Sequence, residues 1–131
     1  MIDTMDHSCK TYFSLTLPAE SVFHQNEVQA AIQEMLGVAP ACRKRRFVIG
    51  YNETYDVDVN VMLRVTLKNL MGKEDEIKEL CKRFSLTATL VVVPYIKYDS
   101  EEPKPYLSLE RDIIGFLQRS DTAPDLDYYV V

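Results

Sequence analysis

Short runs of alternating or continuous apolar residues predict four β-strands. In residues 11–17 every second residue is apolar, which is the pattern of a strand with one buried face. Residues 90–93 (Leu-Val-Val-Val) are apolar on both faces and favour a central, covered strand. Pro94 follows, and it either limits the pairing of that strand or marks a bulge. The strands are predicted near residues 11–17, 45–50, 87–97 and 125–131.

Three other segments repeat their apolar residues every three or four positions, which predicts amphipathic helices. We expect Asn26 to cap the first helix, with Gln29 completing a capping box, and Gly37 to end it. Ser108 is the expected N-cap of the last helix. The helices are predicted near residues 26–36, 73–84 and 108–118.

Residues 57–71 fit two different structures. Apolar residues at alternate positions from Val57 to Leu67, many of them β-branched, favour a strand. However, Val59, Met62 and Leu63 begin a stripe that also fits one face of a helix. The residues alone leave both structures open and favour the strand.

A series of short motifs also runs along the chain: Glu27–Val28, Leu36–Pro40, Tyr51–Asp58, Leu67–Leu70, Ile77–Leu80, Leu90–Pro94, Pro105–Leu109, Ile113–Phe116 and Asp125–Tyr128. Their order and spacing resemble a bacterial family of small proteins known as domain of unknown function 4279, over roughly residues 11–131. Typical members have a tryptophan in the second strand. This chain has none, and Phe47 and Tyr51 are the alternatives for that place.

The resemblance implies a helix over residues 58–70, because the matching segment of that family is helical. It implies no activity. With this helix the predicted order is βαβααβαβ, a two-layer α+β sandwich. A four-stranded mixed sheet has its helices on one face, as a variant of the ferredoxin-like fold. We expect residues 1–10 to be a flexible leader and residues 11–131 to be a single, complete domain whose last strand is paired.

Composition excludes some classes of function without identifying one. A hydrophobic content of 47% and a charged content of 27% are typical of a globular domain. The net charge of −5 disfavours nucleic-acid binding, which needs an excess of Lys and Arg. The three cysteines lack close spacing and indicate a reducing compartment without disulfides. We expect no signal peptide, no membrane contact and a cytoplasmic location.

Reactive side chains are few and scattered. His7 and His24 have no partner at a spacing that suits a metal site or a catalytic triad, and the glycines form no phosphate-binding loop. We therefore expect no metal, no cofactor and no catalytic residue. Asp125 and Asp127 lie at i and i+2 of a predicted strand. They are either a solvated edge or the carboxylates of an alternative function, a small-molecule-binding domain or hydrolase.

Two kinds of segment are candidates for binding a partner. The basic run at residues 43–46 is either a solvated entry to a strand or a docking patch for an acidic partner or RNA. The loops at residues 51–58 and 99–102 combine or adjoin tyrosines with carboxylates, and tyrosine suits interfaces. Ordinary polar loops are the alternative. The candidate residues are Arg43, Lys44, Arg45, Arg46, Tyr51, Glu53, Tyr55, Asp56, Tyr98, Glu101, Glu102 and Tyr106.

The sequence therefore predicts a small acidic domain that binds another protein without catalysis. One version is an immunity-type protein that blocks a basic toxin, since acidic charge speeds the capture of a basic target. Strand order and oligomeric state stay open at this stage.

Overall fold

The structure is a computed structural model that describes residues 7–130. Six strands and four α-helices lie along that part of the chain, with one short 3-10 helix (Ala19–His24) ahead of the first α-helix. In chain order the elements are β1 (Ser8–Thr16), α1 (Gln25–Leu36), β2 (Ala41–Arg43), β3 (Arg46–Asn52), α2 (Val59–Thr66), α3 (Glu74–Phe84), β4 (Thr87–Ile96), α4 (Arg111–Arg119), β5 (Ala123–Leu126) and β6 (Tyr129–Val130).

The strands form one mixed sheet in the order β2-β3-β1-β4-β5, and β6 pairs with the end of β4. Neighbouring strands from β2 to β4 are antiparallel, whereas β5 and β6 run parallel to β4. The ladder to β5 ends at Val92 and the ladder to β6 begins at Tyr95. Pro94, which has no N–H to donate, lies in the gap between them.

The α+β class and the mixed sheet are confirmed, but the predicted number of strands is wrong. The described residues contain six strands instead of four. β2 has only three residues, too few to show an alternating pattern. The predicted strand at residues 125–131 is divided into β5 and β6. The ferredoxin-like topology is not confirmed. The longer strands on either side of α1, β1 and β3, are adjacent and antiparallel, whereas the two strands of a βαβ unit are parallel. Two helices separate β3 from β4.

All four α-helices of residues 7–130 pack on one face of the sheet. Phe13, Leu15 and Leu90 point to that face and join residues of every helix in one buried core. The opposite face has no helix among the described residues, and we call it the open face. Lys10, Tyr12 and Thr16 point to the open face from the central strand β1 and are only partly buried.

The predicted leader at residues 1–10 is wrong from position 7 onwards, because His7 is buried. β1 begins at Ser8, which pairs with Tyr95, and Cys9 is buried in the core. The reason is that β4 extends to Ile96 and offers these residues a partner strand. Residues 1–6 lie outside the described part of the chain.

Both predicted N-caps are wrong. α1 begins one residue earlier than Asn26, after an N-cap at His24 that makes no side-chain capping bond. At α4 the N-cap is Glu110 instead of Ser108. Its N–H is bonded by a distant side chain, since the Asn60 Oδ1 atom accepts from it at 2.9 Å. Only Gly37 acts as predicted, ending α1 in the left-handed conformation at φ 72°.

Residues 59–66 form helix α2, so a helix is confirmed in the segment where the family resemblance implies one, although it ends at Thr66 and not at residue 70. Burial explains why this segment forms a helix instead of a strand. Val59, Met62 and Leu63 are buried at helical spacing, whereas Val61 and Val65 are exposed. The Asp58 side chain caps the helix by accepting from the Asn60 N–H.

Helix α2 lies unusually close to β3. A Cβ atom at Gly50 would lie 2.1 Å from the Thr66 carbonyl oxygen, closer than any real contact. The Thr66 hydroxyl is buried and makes a 2.6 Å hydrogen bond to the hydroxyl of Thr11 on β1. Position 50 must therefore be glycine for α2 to reach the sheet.

We expect Gly50→Ala to lower the free energy of unfolding by about 1–3 kcal/mol, because the added methyl group pushes α2 off the sheet. Urea denaturation measures this change. Gly115→Ala is the matched control, because its Cβ would meet only the flexible tip of Arg119 at 3.0 Å. Because position 115 lies inside helix α4, Gly115→Ala should raise the free energy of unfolding by up to about 1 kcal/mol. Equal effects of the two substitutions would contradict the close approach of α2.

We also expect Asn60→Ala to lower the free energy of unfolding by about 1–3 kcal/mol. Asn60 is buried, and its removal leaves the Glu110 N–H and the Ser108 carbonyl oxygen without their partner. The exposed Asn69 is the control, and Asn69→Ala should change stability by less than about 0.5 kcal/mol. Urea denaturation compares the two variants. Indistinguishable urea midpoints for Asn60→Ala and Asn69→Ala would rule out this role of Asn60.

Candidate functional site

Two loops meet at the end of the sheet where β1 begins and β3 and β4 end. The Tyr106 N–H donates to the Val57 carbonyl oxygen at 3.1 Å, and Asp58 and Tyr106 form a parallel bridge. The Tyr55 hydroxyl donates to the Pro103 carbonyl oxygen at 3.4 Å. These bonds join residues 53–58 and 97–107 into one surface, which we call the end-loop surface.

His7 fastens the second loop to the sheet. Its Nδ1 atom accepts from the Lys97 N–H at 3.1 Å. The other ring nitrogen, Nε2, therefore holds the proton and donates to the Glu102 carbonyl oxygen at 3.0 Å. The side chain is 5% exposed and its ring tilts against Tyr55. His7 is thus a structural staple, a role that sequence reasoning missed because it placed His7 in a leader.

The end-loop surface is acidic and aromatic. Residues 53–58 and 97–107 contain six carboxylates but only two lysines. Tyr98 is 73% exposed and Tyr106 is 52% exposed, with the exposed Leu107 next to it. Two separate loops of the sequence therefore contribute to one surface. The predicted residues placed here are Glu53, Tyr55, Asp56, Tyr98, Glu101, Glu102 and Tyr106.

The basic run lies at the opposite end of the sheet. Residues 43–46 form the tight turn between β2 and β3, and Arg46 pairs with Thr16 at the far end of β1. Lys44 adopts φ 59° in this turn, and all four basic residues are exposed. The prediction of a simple strand entry near residue 45 is therefore corrected to a hairpin, and the basic run does not join the acidic loops in one site.

Two pairs of stacked tyrosines lie on the open face. Tyr12 stacks on Tyr51 with ring centroids 6.3 Å apart, and Tyr95 stacks on Tyr129 at 5.2 Å. The Lys10 ammonium group lies 5.7 Å from the centroid of the Tyr95 ring. Tyr51 therefore belongs to strand β3 and not to a loop as predicted. The candidate residues from the sequence did not include Tyr12, Tyr95 or Tyr129. Of these, Tyr12 lies at a polar position of the first predicted strand.

Carboxylates hold two of these tyrosine hydroxyls. The Tyr51 hydroxyl donates to Glu53, which raises the pKa of Tyr51 to about 12. The Tyr129 hydroxyl donates to the Asp127 carboxylate at 3.2 Å, and this bond raises the pKa of Tyr129 above its usual value. Both hydroxyl groups are therefore neutral donors at physiological pH, and the rings are held in place.

Within residues 7–130, three candidate nucleophiles, Ser21, Cys9 and Cys81, have no histidine hydrogen-bonded to them. His24 contacts Glu27 at 3.1 Å, and Ser21 lines the same recess of about 380 Å³, but no hydrogen bond joins Ser21 to His24. Burial raises the pKa of Cys9 and of Cys81 to about 11. Both thiols are therefore neutral and weakly nucleophilic near pH 7.

Asp125 and Asp127 do not converge on a binding pocket. Asp125 borders an apolar recess of about 180 Å³, below the range of about 300–1,000 Å³ for ligand pockets. Asp127 bonds to Tyr129 at the sheet edge.

Residues 7–130 contain no cluster of three His, Cys, Asp or Glu side chains placed to bind a metal ion. No helix of the same range combines the length and apolarity that crossing a membrane requires.

We expect His7→Ala to speed amide hydrogen exchange at residues 97–106 about tenfold or more, because the Lys97 N–H and the Glu102 carbonyl lose their buried partner. Exchange measured by mass spectrometry tests this. His24→Ala is the control, because His24 contacts Glu27 on α1 and not the loop. Unchanged exchange in the His7 variant would refute the staple.

Comparison with known proteins agrees with the resemblance stated from the sequence. The family model described as "Domain of unknown function (DUF4279)" matches residues 43–131, which is more than half of the chain. No curated protein and no solved structure shows significant similarity to the chain. The chain belongs to the DUF4279 family of domains of unknown function.

Proposed function

We propose that this chain is a non-catalytic protein-binding module whose end-loop surface receives a basic partner protein. The main support is the meeting of two loops, distant in sequence, through the bond from the Tyr106 N–H to the Val57 carbonyl. This bond places exposed tyrosines and carboxylates on one surface. Tyrosines that are exposed in the free protein and ringed by polar groups are typical of binding sites.

The surface is organised before a partner arrives. His7 bonds to both ends of residues 97–102, and the Tyr55 hydroxyl holds Pro103. A loop that is already ordered loses less conformational entropy on binding, so more of the contact energy contributes to affinity.

Charge favours a basic partner over an acidic one. Six carboxylates and two lysines lie on the end-loop surface, whereas the basic run occupies the other end of the sheet. Such a separated acidic patch accelerates the approach of a positively charged protein. An immunity-type protein that blocks a basic toxin is the narrower form of this proposal.

Affinity purification of the tagged full chain from its own cells tests the proposal. We expect wild type to retain a basic protein in stoichiometric amount, and Glu101→Lys/Glu102→Lys to lose it. The staple should persist in this variant, because His7 bonds to the main-chain carbonyl of Glu102 and not to its side chain. Asp75→Lys/Glu79→Lys makes the same charge change on exposed positions of α3 and should keep the partner.

Salt and the partner's charge provide the decisive comparisons. Retention should fall as ionic strength rises, because the attraction is largely between exposed charges. An acidic partner, or a basic one that Glu101→Lys/Glu102→Lys still binds, would refute the end-loop surface as its docking site. Failure to capture any partner from cells that express the chain would count against the function itself.

A further inference from the structure

A recess lies on the open face beside the hairpin of β2 and β3, and we call it the hairpin recess. Its volume is about 750 Å³. Sites that hold small ligands have about 300–1,000 Å³, so this space is large enough for a small molecule. Among the described residues, none that lines it belongs to the end-loop surface. A ligand here therefore goes beyond the proposed function.

Small side chains and a bulge shape the hairpin recess. The register of β3 against β1 passes from Val48 directly to Gly50, so Ile49 is an extra residue. Such a bulge bends its strand and increases the local twist. Ala41 lies opposite Val48 on β2, and with Ala39 it leaves the rim of the sheet open. The recess therefore has an apolar floor of Val48 and Ile49 beside small side chains.

Two arginines face each other across this hairpin. Arg43 on β2 pairs with Arg46 on β3, and both side chains line the recess. Like charges directly opposite each other destabilise a pair of strands. None of the ion pairs within residues 7–130 involves either arginine, and no carboxylate of that range lines the recess. An anion bound between the two guanidinium groups would relieve their repulsion.

The Tyr12 hydroxyl adds a further donor to the recess. The Arg46 Nη1 atom donates to the hydroxyl oxygen at 3.3 Å. The hydroxyl accepts this bond, and no hydrogen bond within residues 7–130 uses its own proton. The Tyr12 ring stacks on Tyr51 with centroids 6.3 Å apart, which holds the hydroxyl in place. Two guanidinium groups and one hydroxyl thus supply N–H and O–H donors to one space.

These donors suit a phosphate group. Guanidinium groups bind phosphate through paired N–H···O bonds. A phosphate monoester carries a charge of about −1.5 to −2 near pH 7, which two arginines balance. We propose that the hairpin recess binds a small organic phosphate. Its phosphate group lies between Arg43 and Arg46, within reach of the Tyr12 hydroxyl, and its organic part rests on Val48 and Ile49.

The same contacts make a nucleic-acid strand an unsuitable occupant. Proteins that bind single strands offer open ring faces on which bases stack. Tyr12 has Tyr51 stacked against it, and the Arg46 guanidinium lies over its ring at 5.9 Å from the centroid. The recess therefore suits one phosphate group better than a run of stacked bases.

Titration of the full chain with phenyl phosphate, followed by amide NMR spectra, tests the proposal. This probe joins a phosphate monoester to a small apolar ring. We expect saturable shifts of amides in residues 41–51 below about 10 mM probe. Inorganic phosphate should bind at least about threefold more weakly, because it lacks a ring to contact Val48 and Ile49.

Substitutions in the recess should weaken the binding of phenyl phosphate. Arg43→Gln/Arg46→Gln removes both charged partners and should weaken it at least about tenfold. Tyr12→Phe keeps the ring but removes the hydroxyl donor, and it should weaken binding about three- to tenfold. The amide spectra also show whether each variant is folded.

Lys44→Gln/Arg45→Gln is the matched control. It removes the same charge from the same exposed turn, but neither residue lines the recess. The Arg45 guanidinium already donates to the Leu17 carbonyl oxygen at 3.4 Å. Because more distant exposed charges are screened by salt, this variant should keep the affinity for phenyl phosphate within about threefold of wild type.

Four results would overturn the proposal. The first is the absence of saturable shifts below about 10 mM phenyl phosphate, or shifts confined to another surface. The second is equal weakening by the two double substitutions, which would indicate diffuse attraction to the basic turn. The third is inorganic phosphate that binds as tightly as phenyl phosphate. The last is a phosphopeptide or a single-stranded RNA that binds at least about tenfold more tightly, which would make the recess part of a site for a macromolecule.

Discussion

The close approach of helix α2 to strand β3 determines much of this structure. The Thr66 carbonyl lies so near Gly50 that only a residue without a side chain fits beneath it. The Thr66 hydroxyl then reaches Thr11 on β1, so the C-terminal end of α2 touches two adjacent strands. This contact places α2 on the same face of the sheet as the other three helices of residues 7–130.

The N-terminal end of α2 organises the region that follows β4. Asn60 bonds to the Ser108 carbonyl and to the Glu110 N–H, and Arg64 pairs with Glu110 and Asp112. These bonds fix the start of α4 and, with it, the long loop between β4 and α4. Because Asp58 also pairs with Tyr106, the loop is held against residues 53–58. The position of α2 thus decides where the acidic and aromatic end-loop surface forms.

Charge is distributed unevenly over this framework, although the net charge of the chain is modest. Carboxylates gather at the end of the sheet where β1 begins, and the basic run gathers in the hairpin at the other end. The open face has its own division, with arginines at the β2–β3 edge and aspartates at the β5–β6 edge. The −5 net charge therefore conceals two separate surfaces with different electrostatic preferences.

The longer elements could be predicted because their residues are locally consistent. Strands β1 and β4 and helices α1 and α3 show clear periodicity, and Gly37 ends α1 as expected. The caps could not be predicted, since Glu110 is bonded by a side chain fifty positions away and α1 begins without a side-chain cap. Strand β2 was missed because three residues show no period, and it forms only where β3 offers a ladder. The predicted last strand is divided into β5 and β6, which pair with different parts of β4.

The candidate sites, too, could be predicted only in part from the sequence. Composition and spacing identified the acidic loops and the basic run, because charge and tyrosine content can be read locally. Whether those segments lie together or apart depended on strand order, which no local pattern contains. The sequence by itself determined which residues are buried stripes and which are polar. Only the tertiary structure decided that the loops meet, that His7 fastens them and that the tyrosines stack on one face, because these are contacts between residues distant along the chain.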